Sequence, residues 1–340
     1  MSSAPETPAS LDEIRTLLRE LPGADLAAKR TVESRQLELL KPPGALGQLE
    51  ELAAWLAAWQ AREEPHMARP RIAVFAGNHG VAAQGVSAYP ASVTAEMVKA
   101  FVNGQAAVNQ LSALADADLR IYELALDEPT ADMSLGPAMA EADAVRAIAY
   151  GMMAVESGFD CMALGEMGIA NTTAAAALSA ALFGGSGADW AGPGTGLSAE
   201  GVAGKAAVID RALAANAAAL DDPLEALVAL GGFEFCAILG AVIACRLARI
   251  PVILDGFATT AAAAPLAAIR PDLLDHCLVA HMSAEPGHAR LLAALEKRPL
   301  LDLGMRLGEA SGAALVLPIL KAAAACHNGM ATFEEAGIGS

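Results

Sequence analysis

Two carboxylates set among glycines, Glu166 in GEMGIANTT and Glu309 in RLGEASGA, are the residues of this chain with the most chemistry to offer. A carboxylate at such a turn can accept a proton, stabilise a positive charge, or merely complement a helix dipole. The stretch GEMGIANTTAAAAL, residues 165–178, follows the apolar run CMAL. Gly165 and Gly168 allow a sharp turn and a close approach to the backbone. Asn171, Thr172 and Thr173 carry side-chain oxygens suited to capping the first free N–H groups of a helix. Strand, glycine turn and helix N-terminus together make an anion cradle, although an ordinary βα turn has the same ingredients. Lys205, on a mostly apolar helix after GPGTG (residues 192–196), is either solvated or in reach of a phosphate at that turn. Arg306 is a surface charge or a phosphate clamp, and Glu309 a dipole contact unless something more is asked of it. Asp255, after PVIL, either holds a ribose hydroxyl or braces its loop. His79 and His281 also follow apolar runs. Neither has a partner at HExxH or CxxC spacing, so both are read as hydrogen-bonded structural histidines and no metal is expected.

The elements that must position these residues alternate. RIAVFAG, DLRIYELAL, CMALGEMG, PVILDGFA and HCLVAHMS are short apolar runs. Between them lie helical segments such as NTTAAAALSAALF, KAAVIDRALAANA and EFCAILGAVIACRLA. That rhythm predicts βαβ units and a parallel sheet with helices on both faces. The first 60 residues read as helices, with Ser10 as an N-cap and a stripe of Leu11, Ile14, Leu17 and Leu18. The last segment, from SGAALVLPIL onward, is mostly helical. The expected architecture is a doubly wound, Rossmann-like parallel sheet over residues 61–310, with a smaller helical domain from residues 1–60 and 311–340. In such a sheet ligands bind beyond the carboxyl ends of the strands. The glycine-rich turns GNHGVAAQGVSAYP, GEMGIANTT, DGFATT and HMSAEPGH all follow those ends, with GPGTG and RLGEASGA beside them.

Composition narrows the function. The 340 residues carry 22 Lys and Arg against 39 Asp and Glu, a net charge of −17 with no basic run. That argues against nucleic-acid or anionic-membrane partners, so an anionic substrate must be captured locally. No ~18-residue apolar stretch runs uninterrupted, and MSSAPETPASLDEIR lacks the features of a secretory signal. The 5 cysteines are scattered in apolar surroundings, as in a reducing compartment. A cytoplasmic protein is expected. GxGxxG at the first strand, GxSxG and a Walker A sequence are all absent.

Taken together, KPPGALGQLE, AGNHGVAAQGVSAYP, GEMGIANTTAAAAL, GPGTG, LGGFEF, DGFATTAAA, AHMSAEPGH and RLGEASGAAL resemble the nicotinate-nucleotide–dimethylbenzimidazole phosphoribosyltransferase family, in the order that family shows. The resemblance runs from about residue 41 to the C-terminus. It implies transfer of phosphoribose from nicotinate mononucleotide to 5,6-dimethylbenzimidazole, giving α-ribazole 5′-phosphate and nicotinate for the lower nucleotide of cobalamin. It also implies a homodimer and no metal or redox cofactor. Glu309 would be the general base and Glu166 the second carboxylate near the reacting centre. Gly168, Asn171, Thr172, Thr173, Gly194, Thr195, Lys205 and Ser283 would hold the nucleotide and its phosphate. Tyr89 and Glu96 would line the aromatic-base pocket. Three positions depart from the family's common pattern: Glu96 where Gln is frequent, GEASG for GEGTG, and GNHGV for GDHGV. These bear on acceptor choice more than on the reaction. The alternatives are a related transferase with another aromatic acceptor and a nucleotide-binding homologue without turnover.

Overall fold

The computed structural model describes residues 8–338. Six strands carry the fold: β1 (Pro70–Gly77), β2 (Asp118–Leu124), β3 (Cys161–Met167), β4 (Val252–Leu254), β5 (Cys277–His281) and β6 (Pro299–Leu301). They form one sheet in the order β2-β1-β3-β4-β5-β6, parallel throughout. Five of the strands are the apolar runs seen in the sequence. The sixth, PLL, is too short and too exposed for its pattern to show.

Three helices come first: α1 (Leu11–Arg19), α2 (Leu26–Glu38) and α3 (Gln48–Gln60). Ser10 caps α1 as expected, accepting from the Glu13 N–H, and Leu11, Ile14 and Leu18 are buried. Helices α4 (Val93–Val102) and α5 (Ala107–Leu114) link β1 to β2, and α6 (Glu141–Met153) links β2 to β3. Five helices separate β3 from β4: α7 (Asn171–Phe183), α8 (Gly187–Trp190), α9 (Ala199–Ala215), α10 (Pro223–Leu230) and α11 (Phe233–Leu247). Then come α12 (Phe257–Ile269), α13 (Pro286–Ala294) and finally α14 (Ser311–Gly329).

Alternation along the strands divides the core in two. Ala73, Phe75, Met162, Leu164, Val252 and Leu254 point to the face covered by α6, α7, α11 and α12, where α1 also buries its stripe. Ile72, Val74, Ala76, Ala163, Ile253 and Ala280 point to the other face, against α3 and α14. The alanine richness has a structural use here: α7 and α12 are buried on nearly every side, and small side chains let them lie close to the sheet and to each other. Helix α14 packs on α2 and α3 and also on β3, β4, β5 and β6. The terminal helices therefore share a core with the sheet. The order in which strands are added reverses between β1 and β3. That switch point is where a doubly wound sheet opens a crevice at its carboxyl edge.

Candidate active site

A cavity of about 280 Å³ opens at that edge. It is lined from the segment after β1 (Val86, Tyr89, Val93, Met97), the end of β3 and the turn into α7 (Glu166, Gly168, Asn171, Thr172) and the loop at Gly194 and Thr195. Segments after β4, β5 and β6 add Gly256, Ser283, Glu285, Arg306 and Glu309. The turns gathered from six separate stretches of sequence thus close on one space.

Glu166 is the sixth residue of β3, so the sheet itself fixes its backbone. Its side chain is buried and accepts a hydrogen bond from the Asn171 carboxamide. Glu309 reaches the same place from the other end of the chain. Its N–H donates to the Glu166 carbonyl at 3.2 Å, and both Glu309 and Ala310 adopt left-handed φ angles of 62°. Such backbone costs on the order of 1–3 kcal/mol per non-glycine residue and persists only where the surroundings impose it. Two glycines make the approach possible. A Cβ on Gly165 would lie 2.1 Å from the Ala310 nitrogen, and a Cβ on Gly308 (φ 82°) would lie 2.5 Å from Glu166 Oε1. Burial pushes the Glu166 carboxyl up to about 8, with the nearby Asp255 charge adding to it. Burial pushes Glu309 up to about 7.

The helix-starting residues after β3 are used differently from the sequence expectation. Helix α7 begins at Asn171 without a side-chain cap. Asn171 turns instead to Glu166, and the Thr172 hydroxyl accepts from Lys205 Nζ at 2.8 Å. Thr173 is fully buried with its hydroxyl unpaired and is not in the cavity wall. Lys205 is also buried, beneath the wall, and its second bond goes to the Gly192 carbonyl at 3.2 Å. Burial lowers its ammonium to about 8, against the pull of Glu285. Thr195 ties two loops together: its hydroxyl meets Ser87 Oγ at 3.0 Å and accepts the Ala88 N–H at 2.9 Å. Arg306, exposed on the rim, donates to the Gly194 carbonyl at 2.7 Å. Tyr89 lines the cavity, but Glu96 does not. The helical spacing of α4 turns Val93 and Met97, four residues apart, to the cavity and leaves Glu96 exposed.

Sequence reasoning missed Glu285, a buried carboxylate whose Oε1 accepts the Gly194 N–H at 2.8 Å. The signal lay in AEPGH: an acidic residue before a helix-starting proline occupies an N-cap position, and Glu285 is the N-cap of α13. His79 donates to or accepts from Glu234 at 2.5 Å, and His281 Nδ1 meets the Met282 carbonyl at 3.1 Å. Among the described residues no three His, Cys, Asp or Glu side chains are grouped to hold a metal ion, and no helix is long and apolar enough to cross a membrane.

The phosphoribosyltransferase family model matches residues 21–338. The chain is 53% identical over 327 residues to the nicotinate-nucleotide–dimethylbenzimidazole phosphoribosyltransferase of Brucella anthropi, covering 96% of each chain. It is likewise 53% identical to the enzyme of that name from Rhizobium rhizogenes, over 96% of each. This chain belongs to that family. A crystal structure of the Thermus thermophilus protein of the same name superposes with a TM-score of 0.85 at 40% identity, over 93% of this chain and 99% of the other. The fold described above is therefore shared with that structure.

The raised carboxyls have a thermodynamic consequence. An unfolded Glu or Asp titrates near 4, whereas Glu166 titrates at about 8 and Glu309 and Asp255 at about 7. The native state therefore holds more protons, and stability falls as pH rises through the native values. Buried His276 and His288, lowered to about 3, act in the opposite direction, but only below about pH 6.5. Thermal scans of the substrate-free protein are expected to show a falling midpoint between about pH 6.5 and 7.5, above which buried Lys205, lowered to about 8, opposes the carboxyls. Each coupled proton contributes at most about 1.4 kcal/mol per pH unit, and Glu166→Gln should flatten the slope. A slope unchanged in that variant would mean that Glu166 is ionised throughout.

Proposed function

We propose that this chain transfers phosphoribose from nicotinate mononucleotide to 5,6-dimethylbenzimidazole. The products are nicotinate and α-ribazole 5′-phosphate, the precursor of the lower nucleotide of cobalamin. The observation that carries the reading is the meeting of Glu166 and Glu309, from well-separated segments of the chain, at one cavity. That cavity has an apolar wall on one segment and hydroxyl, amide and guanidinium donors on others.

The chemistry follows from those groups. In the donor, C1′ of the ribose is bonded to a pyridinium nitrogen. As that bond breaks, the electron pair goes to nicotinate and positive charge moves onto the ribose. Glu166, once ionised, stabilises that charge electrostatically. The pyridinium of the donor favours ionisation of the Glu166 carboxyl, which burial pushes up to about 8. One ring nitrogen of the benzimidazole attacks with its lone pair from the face opposite nicotinate, which inverts β to α, and the proton on the other ring nitrogen passes to Glu309. A base titrating at about 7 is half ionised at neutral pH and well matched to that proton transfer. Thr172 has its oxygen occupied by Lys205, so its own proton is free to point to a phosphate. Val86, Tyr89, Val93 and Met97 offer the flat acceptor an apolar wall.

Nicotinate release, measured with and without the benzimidazole, tests the reading directly. Release that requires the acceptor is expected, while tight nucleotide binding without release would leave a non-catalytic homologue. The wall makes a second prediction. Met97→Ala removes apolar contact from the acceptor, and a several-fold rise in acceptor KM is expected with nucleotide KM unchanged. Equal effects on both constants would take Met97 out of the acceptor pocket. The same reading includes a homodimer working in the cytoplasm, with residues 61–310 as the catalytic part and residues 1–60 with 311–340 as the helical part. Packing of α14 on α2 and α3 joins the two ends of the helical part, which also packs on the sheet through α14. The free cysteines suit a reducing compartment. Light scattering on the purified protein checks the dimer.

A further inference from the structure

Asp255 follows β4 immediately and is fully buried. Its Oδ1 accepts the Ala313 N–H at 2.8 Å, in the first turn of α14. That turn is the continuation of the left-handed pair Glu309 and Ala310. A neutral Ser, Thr or Asn would cap the helix as well, and a buried charge carries a desolvation cost that a neutral cap avoids. The cost is visible here: Asp255 Oδ2 has no hydrogen-bond partner. Nor is a cation set against it. Lys205 is bonded to Thr172 and Gly192, and Arg306 to the Gly194 carbonyl.

The groups around Asp255 are themselves titratable. The Asp255 N–H donates to the Leu164 carbonyl at 3.2 Å, two residues before Glu166 on β3, and Glu309 comes in from the lead into α14. The Asp255 charge opposes ionisation of Glu166, and the Glu309 charge opposes ionisation of both. From β5, His281 Nε2 stands 3.9 Å from Asp255 Oδ1 and is itself unpartnered. His288 of α13 packs edge-on to that ring, and Glu234 of α11, paired with His79, adds a further charge near Glu166. Three buried carboxyls from three separate chain segments therefore share one region, and only two of them line the cavity.

We propose that Asp255 is a positioning residue for Glu309: it clamps the first turn of α14, so holding the strained turn that presents Glu309, and its negative charge sets the proton affinity of the Glu166–Glu309 pair. Interaction between charges is reciprocal, so the influence of Glu309 on Asp255 is matched by that of Asp255 on Glu309. The three titrate as a coupled set rather than as independent acids. The catalytic part of this proposal rests on the reaction given above.

Asp255→Asn separates the two roles, because a carboxamide oxygen still accepts the Ala313 N–H. The measurement is kcat against pH for transfer from nicotinate mononucleotide to 5,6-dimethylbenzimidazole. The acid limb is expected to move down by about one pH unit or more, with both KM values within about threefold of the wild type. An acid limb at the wild-type pH, whatever the size of kcat, overturns the proposal. A second measurement needs neither turnover nor folding of that variant. With 13C-labelled aspartate, the Asp255 carboxyl is followed by NMR in the wild type and in Glu309→Gln. Its midpoint should fall in the variant, and an unchanged midpoint refutes the coupling. Because that titration uses no substrate, it stands even where the wild type fails to release nicotinate, an outcome that would sink the assigned reaction instead.

Discussion

Glu309→Gln is expected to lower phosphoribosyl transfer by roughly 100- to 10,000-fold, the usual cost of losing a positioned base, in a protein that stays folded and binds both substrates. The expectation rests on where the side chain comes from. The Glu309 backbone is held by its own N–H on the Glu166 carbonyl and by the close packing of Gly165 on Ala310. Neither contact uses the carboxylate. A carboxamide keeps the size and the hydrogen-bonding oxygen but cannot take the proton. Stability should if anything increase at alkaline pH, since the variant has no charge to bury. A purely structural Glu309 predicts the opposite: a lower thermal midpoint with turnover per folded molecule preserved. Turnover and thermal unfolding measured on the same preparation separate the two. Near-normal turnover would assign the proton to Glu166 or to water.

The sheet was legible in the sequence because its strands are buried on both faces and so appear as continuous apolar runs. RIAVFAG and CMALGEMG are β1 and β3 almost residue for residue. Glu166 and Glu309 stood out for the same reason: a carboxylate among glycines, next to an apolar run, has no packing role to explain it. What the sequence could not carry was direction. Asn171, Thr172 and Thr173 have the composition of a capped helix start, yet the caps are absent. A tertiary partner outbids the local backbone for two of the side chains, and the third is turned into the core. Glu96 illustrates the limit at its smallest scale. One residue of helix is about 100° of rotation, enough to replace it at the cavity by Met97. Glu285 and Asp255 went unassigned because their partners, Gly194 and Ala313, lie far along the chain. A helix-cap pattern announces an acceptor without saying which helix it serves.

Lys205→Met is expected to weaken nicotinate mononucleotide binding by roughly 10- to 100-fold, the equivalent of one lost hydrogen bond to a charged group, while leaving acceptor binding and stability nearly unchanged. The ammonium is almost fully buried under the cavity wall, where desolvation already brings it down to about 8. A methionine of similar length removes that cost. Against this stand the Thr172 hydroxyl and the Gly192 carbonyl, which lose their donor. The two effects are of similar size and opposite sign, so the thermal midpoint should move by no more than about 3 °C. The nucleotide, by contrast, is expected to lose both a positive charge beneath the proposed phosphate position and the orientation of the Thr172 hydroxyl. The wild type should show the same loss gradually as pH rises through about 8, where the ammonium gives up its proton, and the variant should show no such dependence. Titration calorimetry at pH 7 and pH 9 on both proteins decides the matter. A large fall in stability with nucleotide affinity intact would make Lys205 a strut for the Gly192–Gly194 loop, and the phosphate would have to be held by Arg306 and the backbone alone.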